Sequence, residues 1–244
     1  MKAKRKQPQS HVTLAPPLKS QEAGARPGPR DERYILVAAL VVSFSGVAYE
    51  LLLATYATYL WGGSVFQYSL VFSSMMLSMG IGSWLSDRDG GNPALRFLTI
   101  EMVLAALGVV CLPLLYTVYW KGYAPMFVTL GFSLGFGFLV GLEIPLLNRW
   151  LAEESKLSEL LSLDFAGGFL GGILFPLFLA PQLGLFRVAG LVALLNGAVA
   201  WWGARRLKVF GLQVIAASVC GLSILFLWKA PAIQSWMQFR YFGF

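Results

Sequence analysis

Charge is scarce in this chain. Asp, Glu, Lys and Arg make up 13% of its 244 residues, where a soluble domain carries about a quarter. So little charge cannot cover the surface of a water-facing globule this long. Histidine is nearly missing as well: His11 is the single one, and it lies in a polar N-terminal stretch. A His-based metal or proton site among the apolar segments is thereby excluded, and neither a metal nor an organic cofactor is expected. Cysteine is limited to Cys111 and Cys220, both inside apolar runs. There they serve as small hydrophobes and carry no information about redox compartment. Also lacking is the ten-residue alternation of polar and apolar residues that marks an outer-membrane barrel.

What the chain has is hydrocarbon. Hydrophobic residues reach 57% and mean hydropathy is +0.66. Crossing a bilayer takes about 20 apolar helical residues, and seven runs qualify: 34–60, 64–86, 94–119, 125–148, 159–180, 184–203 and 209–228. Backbone groups in lipid must bond within their own segment, so the runs are helices. The expected fold is therefore all-α, a polytopic transmembrane bundle of about seven spans over 34–228, with a short C-terminal tail, 229–244.

Residues 1–33 differ in kind, with eight Lys or Arg, three acids, repeated prolines and almost no large apolar side chains. They read as a disordered basic tail with loose attraction to anionic lipid and no specific nucleic-acid role. No cleavable signal peptide is expected, because the apolar run starts late and is long. Lys and Arg distribute unevenly between the two sides of the bundle, 15 with the tail and four opposite. By the positive-inside rule this places the N-terminus in the cytoplasm and, with seven spans, the C-terminus outside the inner (cell) membrane.

Small residues recur at helical spacing. Ser74, Ser78, Gly82 and Ser86 follow one another every four residues. Gly131 and Gly135 do the same, as do Gly137 and Gly141. "DFAGGFLGG" stacks Gly167 on Gly171 and Gly168 on Gly172. Such stripes let helix backbones approach closely in lipid, so Gly82, Gly135, Gly167, Gly168, Gly171 and Gly172 are expected at helix contacts. Pro113, Pro145 and Pro176 each remove a backbone donor within a run.

Four acids lie inside the apolar runs: Glu50, Glu101, Glu143 and Asp164. The last three fall within very roughly 10 Å of the cytoplasmic ends of their helices, and Glu50 is deeper. An intramembrane acid marks a functional site by default. The competing readings are local: Glu143 paired with Arg149, and Asp164 favoured by a helix N-terminus. An uncompensated acidic cavity suits a proton, a metal ion or an organic polyamine.

Several stretches share an order with a known family: "GVAYELLLATYATYLWGGSVFQYSLVFSSMMLSMGIGSWLSD", Glu101, "GLEIPLLNRWL" and "LSLDFAGGFLGGILFPLFLAPQLGLFR". This order, over residues 43–200, resembles the multi-span region fused ahead of the catalytic domain in membrane-bound polyamine aminopropyltransferases, the spermidine synthase-like membrane proteins. The resemblance implies that Glu50, Glu143 and Asp164 belong to the family's pattern. It also implies a catalytic Rossmann-like domain with a glycine-rich, acid-bearing nucleotide loop. Here every glycine-rich stretch sits in an apolar run, and about 16 residues follow the seventh. The expectation is a membrane part without the catalyst, with no catalytic residues of its own. A weaker resemblance, "GSWLSDRDGG" after the second run, is to half of a major-facilitator transporter. Three functions follow: a non-catalytic module that binds or presents polyamine or another cation to a separate soluble aminopropyltransferase, a transporter of polyamine or another cation, or a truncated enzyme whose membrane part is only an anchor. The expected partners are the bilayer, that enzyme and the polyamine, with a homo-oligomer also open.

Overall fold

The computed structural model describes residues 29–242 apart from Ser64, Asp87, Asp89, Ala124 and Glu153. The regular structure of the described residues is all helical, with no strand among them. The order is α1 (Pro29–Trp61), α2 (Val65–Ser86), α3 (Pro93–Trp120), α4 (Pro125–Leu151), α5 (Leu157–Leu174), α6 (Ala180–Leu183), α7 (Leu185–Arg206) and α8 (Phe210–Phe242). A π turn, Phe175–Leu179, joins α5 to α6 in one continuous run. Counted so, seven helices are long and apolar enough to cross a membrane, the number expected from the apolar runs.

The boundaries have local causes. Of the tail expected over 1–33, residues 1–28 lie outside the described residues, and α1 takes in the rest. Pro29 suits a first helical position, and Asp31 and Glu32 in the first turn favour the positive end of the helix dipole. The same two acids fasten α1. Glu32 pairs with Lys156, just before α5, and Asp31 with Arg206 at the end of α7, 3.4 Å away. Asn92 caps α3, its side chain accepting from the amides of Ala94 and Leu95, with Pro93 following. Gly184, at φ 74°, turns the chain between α6 and α7, a conformation that side chains resist. Pro113 and Pro145 stay within continuous helices. Pro176 instead falls in the π turn, where the missing amide widens the hydrogen-bonding pattern. At the far end, α8 runs past Pro231 to Phe242. The helix therefore continues through most of the stretch expected as a tail from 229, with Lys229 folded over the Trp228 ring.

Packing separates inner from outer helices. α1, α3 and α7 are the most enclosed, while α2, α5 and α8 are enclosed least. The interior is aromatic and aliphatic: Tyr34, Tyr49, Tyr56, Phe97, Phe136, Leu52 and Leu53 are all fully buried. Tyr49 stacks on Phe136 with centroids 4.5 Å apart. Outward faces are also apolar, with Phe72, Leu77 and Trp84 on α2, Phe165 and Phe169 on α5, and Ile215 and Trp228 on α8 all exposed. Apolar surface of that extent is compatible with a lipid surround.

The small residues decide how near the helices come. A Cβ on Gly82 of α2 would collide with the Phe138 carbonyl of α4, and one on Gly141 with the Met79 carbonyl of α2. Between α1 and α5, Gly167 lies on the Leu40 carbonyl, Gly171 close to Phe44 and Gly168 in ordinary contact with Ser43 and Val47. Gly135 and Gly172 differ from the expectation: nothing lies within 4 Å of a Cβ at either. Each shares a sequence spacing with packed glycines but points to the open side of its helix.

Candidate cation-binding cavity

The close seams leave a space where four helices meet. α1 touches α2, α4 and α5, and α2 lies along α4. Among them is a cavity of about 390 Å³, within the size range of small-molecule sites. Its α1 wall is Ser43, Gly46, Val47 and Glu50, a stripe at steps of three, four and seven residues that one helix face presents together. α2 supplies Met76, Met79, Gly80 and Ser83, α4 supplies Val140 and Glu143 to Pro145, and α5 supplies Asp164. Gly46 is needed for the closure, since a Cβ there would press on Val140 at 3.0 Å.

Three of the four expected acids therefore line one cavity. Glu143 is 2% exposed and Glu50 7%, and each has a buried carboxyl oxygen, Oε1, without a hydrogen-bond partner among the described residues. Asp164 is half-buried, with Ser43 beside its carboxyl group. The charge of Asp164 acts on Glu143, so α4 and α5 bring their acids to a common level. Ser43, which marks that level on α1, precedes Glu50 by seven residues, or roughly 10 Å of helical rise. Glu50 occupies the deeper end.

The fourth acid stands apart. Glu101 on α3 is 0% exposed and does not line the cavity. Its carboxyl group faces that of Glu143 from behind, within hydrogen-bonding reach. The cations at the helix ends have other placements. Arg149 donates to Ser86 Oγ of α2 at 3.0 Å, Lys156 holds Glu32, and the Arg96 guanidinium lies against Gly91. Arg88 and Arg96 border a second, larger cavity of about 680 Å³ between α2, α3 and α4, which contains none of the acids.

Among the described residues no three His, Cys, Asp or Glu side chains stand close enough to hold a metal ion. Acids spread over two levels with apolar wall between them suit an extended cation better than a point ion. Ser43 and Ser83 escaped the reading of the sequence. Ser43 had a usable signal, its seven-residue offset from Glu50 on one face. Ser83 had none, because the partner face of α2 is set by α1 and α4 together.

No protein-family model matches the chain, and no solved structure matches it. Curated relatives do. A polyamine aminopropyltransferase of Leptospira interrogans is 38% identical over 203 residues, 79% of this chain and 40% of that protein. Polyamine aminopropyltransferase 1 of Ralstonia nicotianae is 36% identical over 194 residues, 77% of this chain and 37% of that protein. Polyamine aminopropyltransferase 1 of Streptomyces coelicolor is 34% identical over 189 residues, 74% of this chain and 34% of that protein. The chain is related to proteins of that name and spans about two fifths or less of their length.

Proposed function

We propose that this chain is a membrane-spanning, non-catalytic module of a polyamine aminopropyltransferase system, and that its acidic cavity holds a polyamine for a catalytic unit carried elsewhere. The observation that carries this reading is the cavity itself. Three carboxyl side chains share about 390 Å³, and two of them have a buried oxygen without a partner. Buried acids without cations are costly and call for a counter-charge. A linear polyamine strings ammonium groups along an apolar chain. Asp164 and Glu143 at one level and Glu50 at another offer separated partners, and Val47, Met76, Met79 and Val140 offer the wall between.

Membrane insertion is supported by the apolar outer faces of α2, α5 and α8, and a cytoplasmic N-terminus by the distribution of Lys and Arg. The names of the relatives support polyamine as the class of ligand. A second reading, transport of polyamine or another cation, draws support from the depth of Glu50, past the midpoint of α1. The site would then be a station inside the bundle.

Spermidine titrated into the purified protein in lipid nanodiscs tests the reading. The wild type binds, and Glu143→Gln weakens binding at least tenfold, about 1.4 kcal/mol, without lowering the thermal midpoint of the unliganded protein. Gln keeps the shape of Glu143, and its amide can donate to Glu101. No binding by the wild type, or equal binding by the variant, removes the cavity as a polyamine site. Spermidine flux into sealed proteoliposomes separates transport from presentation.

A further inference from the structure

Glu101 has no place in the polyamine site, yet it is the most enclosed acid in the bundle. It is fully buried, it lines neither cavity, and neither of its carboxyl oxygens has a hydrogen-bond partner. Its carboxyl group faces that of Glu143, whose Oε1 is unpartnered too. Ionised carboxylates only accept hydrogen bonds. Two of them at this range satisfy each other only when one proton lies between them, as in other paired acids.

Among the described residues, the surroundings offer nothing else to complete the pair. From α1, Tyr34 and Tyr49 face it, but their hydroxyls donate elsewhere, to the carbonyls of Val199 (2.9 Å) and Leu104 (3.3 Å). From α5 the nearest charge is Asp164, another acid. α7 and α8 pack on α3, yet no Asp, Glu, Lys or Arg occurs between Arg187 and Arg205 of α7 or between Phe210 and Trp228 of α8, where Cys220 is the single titratable group. Arg206 acts on Tyr34 from beyond and is paired with Asp31. The other ionisable side chain of α4, Arg149, bonds to Ser86.

We propose that the Glu101–Glu143 pair is a resident proton site, and that an ammonium group of a polyamine entering the cavity displaces this proton. The proposal rests on the polyamine reading of the cavity. Before binding, the pair holds one proton and one negative charge. The ammonium docks against Glu143 from the cavity side, and the proton leaves through the cavity to solvent. The pair then carries two negative charges and the ammonium one positive, so the net charge of the buried site is the same before and after. Glu101 never touches the ligand; it determines what Glu143 gives up when the ligand arrives. The module becomes a cation-for-proton exchanger at one site.

Calorimetry of spermidine binding to the full chain in nanodiscs, repeated in buffers of different ionisation enthalpy, counts protons released per ligand. Work at about pH 6 to 7.5 keeps alkyl amines charged. The wild type releases at least one proton per spermidine, and its affinity rises with pH by up to about tenfold per unit for each proton released, because a released proton opposes binding where protons are abundant. Glu101→Gln still binds spermidine, releases about one proton fewer than the wild type, and has an affinity correspondingly flatter with pH. Binding by the wild type without proton release overturns the exchange and leaves the polyamine site standing. Equal proton release by Glu101→Gln and the wild type overturns the assignment to this pair. Absence of spermidine binding by the wild type removes both readings. If Glu101→Gln does not accumulate, the proton count in a Glu50→Gln background decides: close to one supports the pair, and none overturns it.

Discussion

Gly82 and Gly135 make a matched pair of perturbations. Both are helical glycines in four-residue stripes, and they differ in what an added methyl group meets. On Gly82 an ideal Cβ runs into the backbone of Phe138: its carbonyl oxygen, then the carbonyl carbon at 3.1 Å and Cα at 3.3 Å. None of these atoms can rotate away, so α2 and α4 must separate along their seam. Overpacking of this kind costs about 1–3 kcal/mol, and an unyielding neighbour puts it near the upper end. Replacing a helical glycine by alanine returns about 1 kcal/mol of helix propensity, which leaves Gly82→Ala about 2 kcal/mol worse than wild type. Gly135→Ala keeps the propensity gain and meets nothing within 4 Å, so it is about 1 kcal/mol better. For a chain of this size 1 kcal/mol moves the midpoint by about 2–4 °C. Gly82→Ala should therefore melt roughly 4–8 °C lower and Gly135→Ala roughly 2–4 °C higher. Thermal unfolding of the detergent-purified protein, followed by its tryptophan fluorescence, reads both. Equal losses in the two variants, or none in Gly82→Ala, would refute the assignment of Gly82 to the α2–α4 seam.

The α1–α5 seam repeats the contrast: Gly167→Ala, which meets the Leu40 carbonyl, should lower the melting point, and Gly172→Ala should not. A loss from Gly172→Ala alone would put the other face of α5 in contact. A reporter fused after Phe244 should behave as extracytoplasmic and one before Met1 as cytoplasmic. Cytoplasmic behaviour at both ends would mean that the number of crossings is even.

The helices are legible in the sequence because long apolar runs broken by "WGGS", "DRDGGNP" and "WKGYAP" leave little freedom to place them. Their ends are less so. The start of α1 at Pro29 and the passage of α8 through Pro231 depend on a few dipole and packing contacts that hydropathy does not register. Among the small residues, spacing identifies a stripe but not what the stripe faces. Gly167 and Gly171 meet α1, whereas Gly172, one residue from Gly171, has open space around it. The acids follow the same rule. Depth along each helix can be counted, and it brings Glu101, Glu143 and Asp164 to similar levels. Rotation about each helix axis cannot be counted, and it is rotation that puts Glu143 and Asp164 on the cavity and Glu101 behind it. Spacing alone disfavours the alternative pairing of Glu143 with Arg149, which lies six residues on and about 240° around an ideal helix. In the folded chain Arg149 reaches across to Ser86 on α2.

The ionic and hydroxyl ties of α1 set an order of events during synthesis. Tyr34 bonds to a carbonyl 165 residues later in the chain, and Asp31 pairs with Arg206, 175 residues on. At ribosomal rates of about 5–20 residues per second, α7 emerges roughly 10–30 s after α1. Over that interval the first helix is complete and carries Glu50, but the helix that matches Tyr34 and Asp31 near its N-terminal end does not yet exist. A nascent chain arrested before α7 therefore presents α1 with Tyr34 and Asp31 unmatched.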